Sequence, residues 1–150
     1  MNNNKTGVVQ PLTEENFVVI AEKVIEGLRQ FEKAREYIEK YKSHKDKSYR
    51  ELTTSNLRNI LATISPIYNE VRLEKSEKLS PEIIGKINYA KVKIVYAAGR
   101  ENSVKELVER ANLIKYLEQI NGSKSRFILF EQYLEALVAY HKFQNETKEM

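Results

Sequence analysis

Few residues in this chain have the type and spacing that reaction chemistry demands. Its two histidines are His44 and His141. A ribonuclease built on either would need a second acid–base partner and a group holding the scissile phosphate, and no spacing supplies them. His141, set among apolar residues, is expected to be a structural hydrogen-bonding residue at the edge of a helical bundle. Glu131 and Glu135 lie four apart and share a helix face. A divalent-metal site in a bundle also draws Glu-x-x-His pairs from facing helices, and no such pair occurs. Both glutamates are therefore expected at the solvated surface. There is no P-loop, no Gly-rich dinucleotide turn and no His-Glu-x-x-His. Serines and threonines gather where helices should start, which capping explains. The expectation is a protein without catalytic residues, metal or cofactor, so not an enzyme.

Binding chemistry is easier to find. No acidic residue falls between Glu82 and Glu101, whereas Lys86, Lys91, Lys93 and Arg100 all do. At helical spacing Lys86, Tyr89, Lys93, Tyr96 and Arg100 make one stripe, and Ile83, Ile87, Ala90, Ile94 and Ala97 make another. A helix with one dry side and one basic, tyrosine-interleaved side suits a phosphate backbone. It equally suits a solvated lysine face whose tyrosines pack on a neighbouring helix. Lys91 borders the apolar stripe, so its stem can pack while its amine snorkels outward. Arg58, Lys105 and Arg126 also fall on or beside helices with an apolar opposite face. If they converge with Lys93 and Arg100, the track touches phosphates without reading bases. Helix starts at Thr54, Ser103 and Ser125 could add backbone donors for the same anions.

The elements that must position these residues are helices. A chain of 150 residues suits one domain with one core. Hydrophobic residues at 41% and charged residues at 31% are a globular balance, and five glycines and three prolines are too few for an all-β chain rich in turns. The net charge of +4 is mild, so any nucleic-acid role depends on where the charges cluster. Without cysteine, disulfides, thiolate nucleophiles and cysteine–zinc sites are excluded. The polar start has no signal-peptide core, and no apolar run approaches the ~20 residues of a membrane span. A cytoplasmic protein is expected.

Taken in order, residues 1–11 read as a flexible leader, 12–145 as a single helical-bundle domain and 146–150 as a polar tail. Thr13 caps a first helix running to about Tyr41, with Phe17, Ile20, Val24, Leu28, Phe31 and Ile38 inward. Lys42 to Arg50 is a basic loop. Thr53-Thr54-Ser55 starts a second helix with Leu57, Ile60, Leu61, Ile64, Tyr68 and Val71 buried, which Pro66 should kink or split. Ser80-Pro81-Glu82 opens the basic helix, ending near Gly99. Ser103 and Glu106 form a capping box for a fourth helix continuing to Gly122. The last, from about Ser125 to Phe143, is apolar nearly all round and belongs in the middle. The fold class is all-α, a compact bundle of about five helices.

Three stretches together resemble one family, the small subunit of the type III-A (Csm) CRISPR effector complex. They are Leu52-Thr53-Thr54-Ser55-Asn56-Leu57-Arg58 with Ile67-Tyr68-Asn69; Tyr89-Ala90-Lys91-Val92-Lys93-Ile94-Val95-Tyr96-Ala97-Ala98-Gly99-Arg100-Glu101 with Val104-Lys105; and Arg126-Phe127 leading to Tyr133-Leu134-Glu135-Ala136-Leu137-Val138-Ala139-Tyr140-His141-Lys142-Phe143. Two departures stand out. The family often ends in a glycine-rich tip where this chain has Gln144-Asn145-Glu146-Thr147, and the loop from Lys42 to Arg50 is longer than the pattern needs.

The resemblance implies a helical bundle without catalytic activity. Copies of it would line up head-to-tail along the backbone subunits of a ribonucleoprotein filament, with the large subunit nearby. They would lie beside guide RNA and captured target RNA, and target cleavage would belong to other subunits. Carried over by position, Arg58, Lys91, Lys93, Arg100, Lys105, Arg126 and Lys142 are the RNA-contact candidates, some of which would serve neighbouring subunits instead. The residues also admit a helical protein–protein adaptor without RNA contact, and a small ribonuclease using His44 or His141.

Overall fold

The computed structural model describes residues 9–41 and 50–149; the leader through Val8, the loop residues 42–49 with His44, and Met150 lie outside them. Among the described residues six helices follow one another: α1 (Phe17–Tyr41), α2 (Thr54–Val71), α3 (Pro81–Arg100), α4 (Asn102–Arg110), α5 (Leu113–Ile120) and α6 (Lys124–Glu149). No strand occurs among the described residues, and none of their helices is long and apolar enough to cross a membrane.

α6 is the centre. It packs on α1, α2 and α5, while α3 lies against α2, α4 and α5. Phe127, Phe130, Tyr133, Leu134 and Leu137 bury almost completely along α6. A helix apolar round most of its surface can be satisfied only by neighbours on several sides, which is where this one sits.

The helix starts follow the expected caps, with one exception. The Thr13 hydroxyl accepts from the Asn16 amide at 3.1 Å, opening the turn that leads into α1. Thr53 and Asn56 exchange two bonds, Asn56 N–H to Thr53 Oγ1 at 3.0 Å and Thr53 N–H to Asn56 Oδ1 at 2.9 Å. This is a capping box in which Asn does the work of the usual Glu or Gln. Ser80 accepts from the Ile83 amide at 3.2 Å, with Pro81 in the first helical position. Ser103 is the exception. It is buried within α4, whose cap position belongs to Glu101 without a side-chain bond.

The expected fourth helix is two helices. Ala111 ends α4 and Asn112 takes a left-handed φ of 55° before α5 begins. Asn tolerates that region better than most residues. The carbonyl freed by the break is bonded, because the Tyr133 hydroxyl donates to Ala111 O at 2.9 Å from inside the core. The apolar spacing from Val104 to Ile120 continues across the break, so periodicity alone could not reveal it. Pro66 does not split α2, which runs unbroken past it. Ile64, Ile67 and Val71 on either side are buried, and their packing holds the helix together across the missing backbone donor.

In α1 the buried line is Ala21, Ile25 and Leu28, whereas Phe17, Ile20, Val24 and Phe31 are half-buried and Ile38 is 47% exposed. The stripe read from the largest side chains was displaced toward one edge of the true contact. Preceding α1, Val9 and Leu12 pack on the core, and the Gln10 carbonyl accepts from the Tyr116 hydroxyl at 2.9 Å.

Candidate nucleic-acid interface

α3 is placed by its apolar stripe. Ile83, Ile87, Ala90 and Ile94 are buried, and the opposite side faces outward with Tyr89 63%, Val92 59% and Tyr96 67% exposed. Burial of four residues at i, i+4, i+7 and i+11 fixes the rotation of the helix, so the basic stripe must point to solvent.

The cations of that stretch divide into two groups. Lys86 Nζ sits 2.8 Å from a Glu70 carboxylate oxygen, and the hydrogen bond to that carboxylate holds its pKa above the ordinary lysine value. Lys91 Nζ lies 2.7 Å from Glu118, on the α5 side of the helix. Lys93 and Arg100 have no carboxylate partner among the described residues and rest on aromatic rings. Lys93 Nζ is 5.0 Å from the Tyr89 ring centroid, and Arg100 Cζ is 5.8 Å from that of Tyr96. A cation over a ring face keeps its charge available to an incoming anion, whereas one on a carboxylate is largely neutralised.

Lys93 and Arg100 also border a cleft of about 180 Å³ between α2 and α3, whose far wall includes Asn56, Asn59 and Thr63. These three recur at i, i+3 and i+7, so they share one side of α2. The Asn59 amide makes no side-chain hydrogen bond among the described residues, and Thr63 Oγ1 donates to the Asn59 carbonyl at 3.1 Å. Glu101, Ile60, Ile94 and Val104 are also part of the lining. Two cations with amide and hydroxyl groups along one cleft can hold phosphate and sugar oxygens together.

The other basic candidates stand elsewhere. Arg58 is exposed on α2 but does not line the cleft, being about 100° round the helix from Asn59. Lys105 is exposed on α4 and Lys142 on α6. Arg126 Nη1 donates to the Gln119 carbonyl at 3.0 Å, and the residue borders an apolar cavity of about 350 Å³ with Val9, Leu12, Tyr116 and Phe130. Seven sequence candidates thus give one convergent pair. Asn56, Asn59 and Thr63 were missed, although polar residues at helical spacing were there to be read.

The expected anion donors at the start of α6 already have an occupant. One Glu77 carboxylate oxygen accepts from the Ser125 amide at 3.1 Å, the Ser125 hydroxyl at 2.7 Å and the Ser123 hydroxyl at 2.5 Å. The two hydroxyl bonds, then the amide, hold its pKa below the ordinary carboxylate value. Glu77 therefore supplies the negative charge that this helix start favours.

Of the four residues weighed for chemistry, His44 lies outside the described residues, Glu135 is exposed, and His141 and Glu131 are buried in the core. His141 is buried, with Nδ1 at 2.9 Å from Thr54 Oγ1, the structural role expected of it. Glu131, expected at the surface, is 4% exposed. Burial first, then the hydrogen bond and negative charge of Glu135, raises its pKa to about 8. The neighbouring apolar positions on α6 carry it inward. Among the described residues no three His, Cys, Asp or Glu side chains gather where they could hold a metal.

Comparison with known proteins bears on the family to which the chain belongs. The family described as Csm2 Type III-A matches residues 30–147. The CRISPR system Cms protein Csm2 of Streptococcus thermophilus is 36% identical over 132 residues, covering 88% of this chain and 93% of that protein. Its namesake in Mycobacterium tuberculosis (strain CDC 1551 / Oshkosh) is 36% identical over 99 residues, 66% of this chain and 80% of that one. That of Enterococcus italicus is 35% identical over 119 residues, 73% and 85% respectively. With residues 30–147 under one family description and like-named relatives in three genera, this chain belongs to the Csm2 type III-A family.

Proposed function

We propose that the protein is a non-catalytic small subunit of an RNA-guided type III-A CRISPR interference complex in the cytoplasm. Residues 12–145 act as its one functional domain, lining the filament and contacting the guide and target RNA backbone without regard to sequence. The observation that carries the RNA contact is that Lys93 and Arg100, neither ion-paired among the described residues, line one cleft with Asn56, Asn59 and Thr63, beside Glu101. Such a surface recognises phosphates and sugars, while base pairing between guide and target supplies specificity. Arg58, Lys91, Lys105, Arg126 and Lys142 lie outside the cleft and are assigned to the second strand or to neighbouring subunits, including the backbone and large subunits and further copies arranged head-to-tail. Heterologous contacts of that kind extend a filament rather than close a dimer.

The test is RNA binding as a function of salt. Each phosphate neutralised steepens the dependence of log K on log salt by about 0.7 for single strands and about 0.9 for duplexes. Replacing Lys93 and Arg100 together by Glu should flatten that slope by about 1.4 to 1.8 and leave the fold unchanged. An unaltered slope would remove this face from the RNA.

A second reading, a helical protein–protein adaptor without RNA contact, is favoured by the exposed Val92 and Val95 on the same helix. It predicts capture of protein partners that RNA neither helps nor competes with.

A further inference from the structure

One arrangement occurs twice on α3, seven residues apart. Tyr89 carries Lys93 over its ring, and Tyr96 carries Arg100. Both rings are largely exposed, Tyr89 at 63% and Tyr96 at 67%. Seven residues bring a helix back to within about 20° of the same direction and advance it by about 10 Å. The surface therefore presents two copies of one unit, an open aromatic face with a cation beside it.

A nucleotide has a matching pair of parts, a flat base and an anionic phosphate. We infer that Tyr89 and Tyr96 are stacking platforms for unpaired nucleobases, each base lying on the ring face away from the cation and its phosphate held by Lys93 or Arg100. This inference rests on the RNA-contacting reading above and adds base contact to a surface there assigned only backbone contact. Stacking on tyrosine tolerates any base, because every base has a π-face, so sequence-blindness is kept. The spacing says more. Neighbouring bases in a duplex strand rise by about 3.4 Å, far short of the roughly 10 Å between the rings. The two platforms therefore hold bases that are unstacked from one another, as in a single strand or at splayed positions of a duplex.

A protein helix is a poorer match for this face. Gly85, Tyr89, Val92, Tyr96 and Gly99 do alternate at spacings of four and three, as a helix-packing seam would. A second copy crossing antiparallel at Val92 would set Lys93 against its own counterpart and Lys86 against Arg100, and like charges at such flanking positions repel.

The test is photo-crosslinking of the full-length chain to RNA carrying 5-iodouridine, with adducts located by peptide mass spectrometry and affinities measured in parallel. Single-stranded RNA should give adducts on Tyr89 and Tyr96, and a fully paired duplex none. Tyr89→Leu and Tyr96→Leu should each weaken single-strand binding by about five- to a hundredfold, whereas Tyr89→Phe and Tyr96→Phe should retain it. Circular dichroism checks that each variant folds. RNA binding that depends on Lys93 and Arg100 but survives both leucine substitutions, with adducts elsewhere, would overturn the stacking and leave the backbone contact standing. Failure of the wild-type chain to bind either RNA would overturn both. Leucine variants that bind RNA normally yet fail to co-purify with protein partners would mark the face as a protein seam.

Discussion

The Tyr133 hydroxyl reaches from α6 to the Ala111 carbonyl at 2.9 Å, bonding the end of α4 where the chain turns into α5. Its ring is fully buried and meets Tyr116 edge-on at 5.4 Å between centroids. Burial pushes the hydroxyl pKa up, so it stays protonated and donating. Tyr133→Phe keeps the packing and orphans the carbonyl, which should cost about 1–3 kcal/mol. Urea unfolding measures this as a lower midpoint with an unchanged slope.

Asn112 makes the same corner from the backbone side. Its φ of 55° disfavours any residue with a Cβ that lacks a short polar group. Asn112→Gly should leave stability within about 0.5 kcal/mol, while Asn112→Ala should lose about 1 kcal/mol. Equal melting temperatures for the two variants would mean that the left-handed turn carries no strain.

Glu131 gives the fold a pH dependence with a definite sign. Its folded pKa, about 8, stands above the ordinary carboxylate value of 4.5. Between the two the folded state holds a proton that the unfolded state has released. Stability therefore falls as pH rises through that window and levels off above it, at about 1.4 kcal/mol per unit of difference in pKa. Glu131→Gln, which stays neutral and can still donate to Glu135, should flatten the profile. Unfolding midpoints between pH 5 and pH 8.5 for both proteins check it.

Much of this was legible beforehand because it depends on local chemistry. Thr53, Ser80 and Pro81 mark helix starts through bonds made within three residues, and the buried line of α3 is a simple period. What escaped depends on partners far along the chain. The break at Asn112 leaves the apolar spacing intact and is completed by Tyr133. Glu131 goes inside because its neighbours on α6 are core residues, although the residue type argues for the surface. Glu77 caps α6 from 48 residues away, beyond any local signal. At the candidate site, the cations of α3 were visible as a stripe. Which of them remain free of carboxylates depends on Glu70 and Glu118, brought in from α2 and α5.

That division yields its own prediction. Lys91 is bonded to Glu118 and half-buried, so Lys91→Ala should change RNA affinity far less than Lys93→Ala. Loss of an exposed ion pair should also move stability by no more than about 1 kcal/mol. Parallel salt titrations of the two variants decide it, with a larger loss for Lys91→Ala counting against the assignment of the cleft.

The most direct measurement is co-purification of the tagged protein from its native cells, with sequencing of any RNA that accompanies it. The RNA-contacting assignment predicts uniform short guide RNAs together with larger CRISPR subunits, and loss or weakening of both when Lys93 and Arg100 are changed to Glu in a chain that still folds. Wild-type protein recovered without RNA or those subunits, or a double variant that retains them undiminished, would contradict it.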